Sequence, residues 1–173
     1  MEFNYDKLRD ATHYICARAN ELGLIVDDIQ LNKVLWYADA LAYATRGQSI
    51  TGTRYKRKPR GPVASGHLKS FKELVDNELI REGHVEREGR FIKILDSIRP
   101  PDTSRFGKAE LKLIDGVLRH IATRLNTLEI SEQSHGEIWR LARKNEEIPM
   151  YTVFAENIGE PSSEEIADAQ RGV

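Results

Sequence analysis

Residues 27–63, DDIQLNKVLWYADALAYATRGQSITGTRYKRKPRGPV, hold the pattern that decides the fold. Asp27 is a good helix N-cap, Gln30 stands where a capping box would close, and Val26 and Leu31 flank the cap as staple partners. The spacing predicts a helix to about Arg46, stopped by Gly47. Leu31, Val34, Leu35, Ala38, Leu41 and Ala42 form its main apolar stripe, and Trp36, Ala40 and Tyr43 form a second. A helix with so wide an apolar surface is buried on two sides or meets a partner, which makes it the expected central packing element. From Ser49 to Pro59 the helical period disappears, and ITGTRYKRKP reads as an extended segment or hairpin. Arg60-Gly61-Pro62 reads as a turn, with Pro62 opening a further helix to about Asn77 whose inward residues are Ala64, Leu68, Phe71 and Val75.

The flanking sequence extends the same pattern. An earlier helix is expected from Tyr5 to Leu22, capped by Asn4, with Leu8, Ala11, Ile15, Ala19 and Leu22 on one face. After residue 78, LIREGHVEREGRFIKIL reads as two short strands around Glu88-Gly89, with Ile92 and Ile94 facing the core. A long helix from Gly107 to about Leu125 follows Pro100-Pro101, with Leu111, Ile114, Leu118, Ile121 and Leu125 as its stripe. Ser134-His135-Gly136-Glu137 then offers a capping box for another helix. The expected fold is mainly α with a small antiparallel β-sheet (α+β), a helical domain carrying a β-hairpin and partly winged-helix-like. One domain is expected over residues 1–145, followed by an acidic extension at 146–173.

Composition narrows the function class. At 173 residues with a net charge of −1, the chain suits one self-sufficient core and predicts no general affinity for nucleic acid or anionic membrane. A single cysteine, Cys16, excludes an intramolecular disulfide framework and any multi-cysteine zinc site. No signal-peptide pattern and no apolar run of membrane-spanning length are present, so a cytoplasmic protein is expected. Charge is unevenly spread. Residues 54–72 contain seven Lys or Arg and no acid, whereas 145–173 contain seven acids and one Arg, so the basic run either attracts an acidic partner or is partly neutralised by the C-terminus.

Three constellations admit both a functional and a plainer role. The helix–turn–helix–hairpin succession from Asp27 to Leu95 suggests a winged-helix DNA reader, with the helix from Pro62 in the major groove, His67, Lys69, Ser70 and Lys72 as base contacts and Glu88-Gly89 at the wing tip; Gly66 and the acids Glu82, Glu86 and Glu88 argue against it. His13 and Cys16 share a helix face, but two ligands make no metal site and such a cysteine is usually a small core residue. No nucleotide-binding, hydrolase or zinc-protease signature occurs, so neither an enzyme nor a cofactor is expected. His135 and Trp139 stack on one helix face, where Trp139 either anchors a partner or closes the core.

Taken in order, Leu31, Lys33, Leu35, Tyr37, Ala38 and Asp39, then Thr51-Gly52, then Gly61-Pro62-Val63, then Ser134-His135 and Trp139 resemble the Panacea domain of the SocA-like antitoxin family. The resemblance spans about residues 27–142 and departs from the family in Trp36-Tyr37 and in the basic run before Gly61. It implies an antitoxin that neutralises a cognate protein toxin by direct binding. It also keeps open a proteolytic adaptor that delivers its toxin to an AAA+ protease, and the DNA-binding regulator stays open beside both. In the antitoxin reading Tyr55, Arg57 and Arg60 contact the toxin, with Trp36, Tyr43 and Trp139 as further contacts. Tyr37, Asp39, Gly61, Pro62 and His135 then carry the structural motif.

Overall fold

The computed structural model describes residues 3–87, 89–124 and 142–154. The order of elements is α1 (Tyr5–Glu21), α2 (Asp28–Arg46), β1 (Tyr55–Lys58), β2 (Gly61–Ala64), α3 (His67–Asp76), β3 (Ile80–Arg87), β4 (Arg90–Ser97), α4 (Lys108–Arg124), β5 (Glu147–Ile148) and a 3₁₀ turn at Met150–Phe154. This is the expected α+β architecture: helices packed with two small antiparallel sheets, ordered β2-β1-β5 and β3-β4. Helix α2 packs against α1, α4, β2, β4 and the 3₁₀ turn, so it is the hub of the fold.

The helix ends obey local chemistry. Asn4 Oδ1 accepts from Lys7 N at 3.0 Å at the start of α1. Asp27 and Gln30 close a full capping box on α2, and Gly47 ends that helix in the left-handed conformation. Glu110 Oε2 accepts from Gly107 N at 3.0 Å at the start of α4 and also holds Lys7 Nζ of α1 at 3.0 Å. Leu8, Ile15, Leu31, Val34, Leu35, Ile114, Leu118 and Ile121 are all buried where these helices meet. Leu41, placed on the α2 stripe by its spacing, is 46% exposed instead.

Three expectations are corrected. The segment after the basic turn is not a helix from Pro62: Gly61–Ala64 forms β2, and α3 begins only at His67. Pro62 fits there because β2 is an edge strand, where a missing N–H breaks no further ladder. Of the inward residues expected, Ala64 is buried and Phe71 and Val75 pack against the core, but Leu68 stands 79% exposed and Leu74, Ser70 and His67 are buried instead. Among the described side chains of the β3-β4 hairpin, Ile80 and Leu95 are buried and Ile94 is half-buried above Gly83; the side chain of Ile92 lies outside those described. The acidic extension expected from 146 begins inside the fold, because Glu147–Ile148 pairs with β1 and Ile148 and Val153 join the core. Ser134, His135, Gly136, Glu137, Trp139 and residues 155–173 lie outside the described residues.

Candidate functional site

The signature-bearing residues converge on a buried carboxylate. Asp39, in the fourth turn of α2, is wholly buried. Its Oδ1 accepts from the backbone N–H of Ile50 at 2.7 Å and of Thr51 at 2.9 Å. Its Oδ2 accepts from Thr51 Oγ1 at 2.5 Å and from the Tyr55 hydroxyl at 2.8 Å. Burial pushes the Asp39 carboxyl up from its ordinary range, while the bonds from Thr51, Tyr55 and Ile50 pull it back. Burial also pushes Tyr55 far above the ordinary phenol range, and the Asp39 charge adds to it. This cluster clamps the loop at residues 49–53 and the start of β1 onto α2.

Tyr55 therefore cannot supply a contact surface: its side chain is fully buried, and its ring meets Trp36 edge-to-face with centroids 4.9 Å apart. Trp36 is itself buried, so both aromatics form a floor beneath the hairpin. Strand alternation explains the misplacement, since the residue that begins a strand at a sheet–helix contact must point one way or the other. Tyr37 and Tyr43 are half-buried on α2, and Tyr43 lines a second cleft with Thr53, Arg54 and Glu147.

Above that floor the β1-β2 hairpin carries the basic run. Its register pairs Tyr55 with Ala64, Arg57 with Pro62 and Lys58 with Gly61, leaving Pro59-Arg60 as the turn. Gly61 has φ +117, a conformation that side chains resist, so the turn needs glycine at that position. Lys56 and Arg60 are exposed, and Arg57 and Lys58 are half-buried. Among the described residues of the C-terminal side, Glu147 Oε2 lies 3.4 Å from Arg54 Nη1, and the neutral Asn145 Oδ1 accepts from Lys58 Nζ at 2.7 Å.

Beneath the turn lies a pocket of about 220 Å³, lined by Asp28, Ile29, Asn32 and Lys33 of α2 and by Lys58, Pro59, Arg60, Pro62 and Val63 of the hairpin. Lys33 is 1% exposed, and burial pulls its ammonium down to about 8. Asp28 Oδ1 lies 2.6 Å from His67 Nε2, and Asn32 Nδ2 lies 3.1 Å from that same nitrogen. Sequence reading placed Lys33 only in the motif. Its signal was present, because Lys33 sits among Leu31, Val34 and Leu35 on a helix whose apolar surface is unusually wide.

The other candidates resolve as structure. Two of the four proposed base contacts, His67 and Ser70, are buried, and Lys69 is engaged over the Tyr5 ring at 4.3 Å. His13 Nε2 lies 3.1 Å from Ser97 Oγ and 3.0 Å from the Arg99 carbonyl, tying α1 to the end of β4. Burial pushes the Cys16 thiol up to about 12, which deprives it of thiolate character. Among the described residues no helix is long and apolar enough to cross a membrane.

Compared with known proteins, residues 31–140 match the family model described as "Antitoxin SocA-like, Panacea domain", which covers more than half of the chain. No curated protein and no solved structure matches.

Proposed function

The chain belongs to the SocA-like Panacea antitoxin family, and from that premise we propose that it neutralises a cognate protein toxin by direct contact through the β1-β2 hairpin. The observation that carries this reading is the pairing of a rigid base with a cationic tip. Asp39 and Tyr55 hold the hairpin to the hub helix by buried hydrogen bonds, while Lys56 and Arg60 stand in solvent just beyond. Charged groups fixed on a stiff element keep their geometry on binding, so little ordering entropy is lost. Arg57 and Arg60 supply planar guanidinium forks suited to carboxylates of an acidic toxin surface. Trp139, which the family resemblance also offers as a contact, is retained in the proposal as a further anchor. The protein acts in the cytoplasm by binding and not by catalysis.

Co-expression with the product of the adjacent gene tests this. That product alone should arrest growth, and this chain should restore growth and co-purify with it. Arg57→Glu with Arg60→Glu should abolish both rescue and co-purification, and Arg60→Glu alone, at an exposed position, should weaken both while leaving the circular dichroism spectrum and the melting temperature near those of the parent. Unchanged rescue by the double variant moves the interface off the hairpin. Rescue that needs an AAA+ protease would show delivery instead of blocking.

A further inference from the structure

The pocket under the basic turn is more than a gap in packing. It joins the second turn of α2 to the tip of the hairpin, so any group entering it touches scaffold and contact surface together. Ile29, Pro59, Pro62 and Val63 give it apolar walls, which weaken solvent screening of a charge placed inside. Cations dominate its polar lining: Lys33 from α2, Lys58 and Arg60 from the hairpin, against the single acid Asp28. Asp28 is already engaged by His67 at 2.6 Å. Its residual negative charge disfavours a phosphate dianion more than a monoanion.

We propose that this pocket receives one carboxylate side chain, an Asp or Glu of the bound partner protein, seated against Lys33 and Arg60. The proposal rests on the toxin contact described above only for the source of that side chain. The lysine ammonium has three donors, so it accommodates a carboxylate alongside its existing interactions. Arg60, exposed at the lip, offers the planar fork that matches a carboxylate edge. Burial holds Lys33 down to about 8 in the free protein, and an anion beside it favours the charged form again. A charge pair formed in such a pocket contributes to specificity, because a partner lacking the acid leaves Lys33 desolvated without that compensation.

The test uses the full chain, labelled with nitrogen-15, and the monovalent probe N-acetyl-L-glutamate N-methylamide. Titration should give saturable shifts at the amides of Asn32, Lys33, Arg60 and Val63. The neutral glutamine counterpart should bind about tenfold more weakly, a difference of about 1.4 kcal/mol. Lys33→Met and Arg60→Ala should each weaken the glutamate probe to a similar degree. Arg60 is exposed, so its variant answers the question even if Lys33→Met does not fold. Equal responses to both probes, or shifts scattered over surface lysines, would overturn the proposal. So would tighter binding of inorganic phosphate at the same amides. No toxin enters this titration, so its failure is distinct from failure of the growth rescue. Growth rescue retained by a folded Lys33→Met variant that no longer binds the probe would sink the assignment to the partner while leaving the antitoxin reading intact.

Discussion

At the scale of single residues, Asp39 is the position on which the fold depends most. It accepts four hydrogen bonds, two from backbone N–H groups and two from hydroxyls, in a site with no solvent. Asp39→Ala removes the acceptor and leaves the N–H groups of Ile50 and Thr51 and the Tyr55 hydroxyl buried without it. Losing one member of such a buried charged network costs about 3–5 kcal/mol. Tyr55→Phe removes a single donor and leaves Asp39 three others, so it should cost about 1–2 kcal/mol. Urea denaturation of both variants and the double variant checks this. Equal losses for the two single changes would show that Asp39 is not the centre of the cluster. The family resemblance put Asp39 in a structural motif and Tyr55 among the partner contacts, and the hydrogen bond between them was not legible in the residue pattern. An acid inside an apolar helix face announces a buried partner. A tyrosine in a run of lysines and arginines looks exposed until the strand's inward face is known.

At the scale of elements, the long helices were readable because caps and spacing agreed at both ends of α2 and at the starts of α1 and α4. The boundary between β2 and α3 was not, since Gly61-Pro62 fits a helix entry as well as the mouth of an edge strand. Strand β5 escaped notice because two residues carry no period, although Ile148 and Val153 are core residues. The α3 boundary is set instead by Gly66, whose φ of +92 lets the chain turn from β2 into the helix. A Cβ there would meet Leu8 Cδ2 at an ordinary 3.5 Å, so Gly66→Ala should suffer from backbone strain and not from crowding. The expected loss is about 1–2 kcal/mol. Gly116 is the contrasting case: it lies inside α4, its φ is not positive, and an added Cβ meets nothing within 4 Å. Gly116→Ala should stabilise by about 0.5–1 kcal/mol through helix propensity and a less entropic unfolded chain. Chemical denaturation that gave both alanines the same sign would remove the case for Gly66 as a conformational hinge.

At the scale of the whole molecule, the buried titratable groups act together on stability in alkali, and their signs differ. Lys33 releases its proton near 8 when folded, against 10.5 for an ordinary lysine. Between those values the unfolded chain holds the extra proton, so stability rises with pH at up to about 1.4 kcal/mol per unit. Cys16 runs the other way. Its thiol keeps its proton to about 12 when folded, against 9.0 ordinarily, so from 9 upward the folded state holds the extra proton and stability falls at a comparable slope. Tyr5 and Tyr14, both raised from 10.0 to about 12, and Tyr55, raised further, add to that fall above 10. The predicted profile rises from about 8, levels between 9 and 10 where lysine and cysteine oppose each other, and drops steeply beyond. Lys33→Met should abolish the rise between 8 and 9 and leave the later drop, while Cys16→Ala should carry the rise on toward 10. Urea midpoints measured at half-unit intervals from pH 7 to 11, under reducing conditions, decide it. A parent profile flat from 8 to 9, or one that Lys33→Met leaves unaltered, would mean that the lysine under the basic turn pays little for its burial, and the argument that a partner's carboxylate compensates its desolvation would go with it.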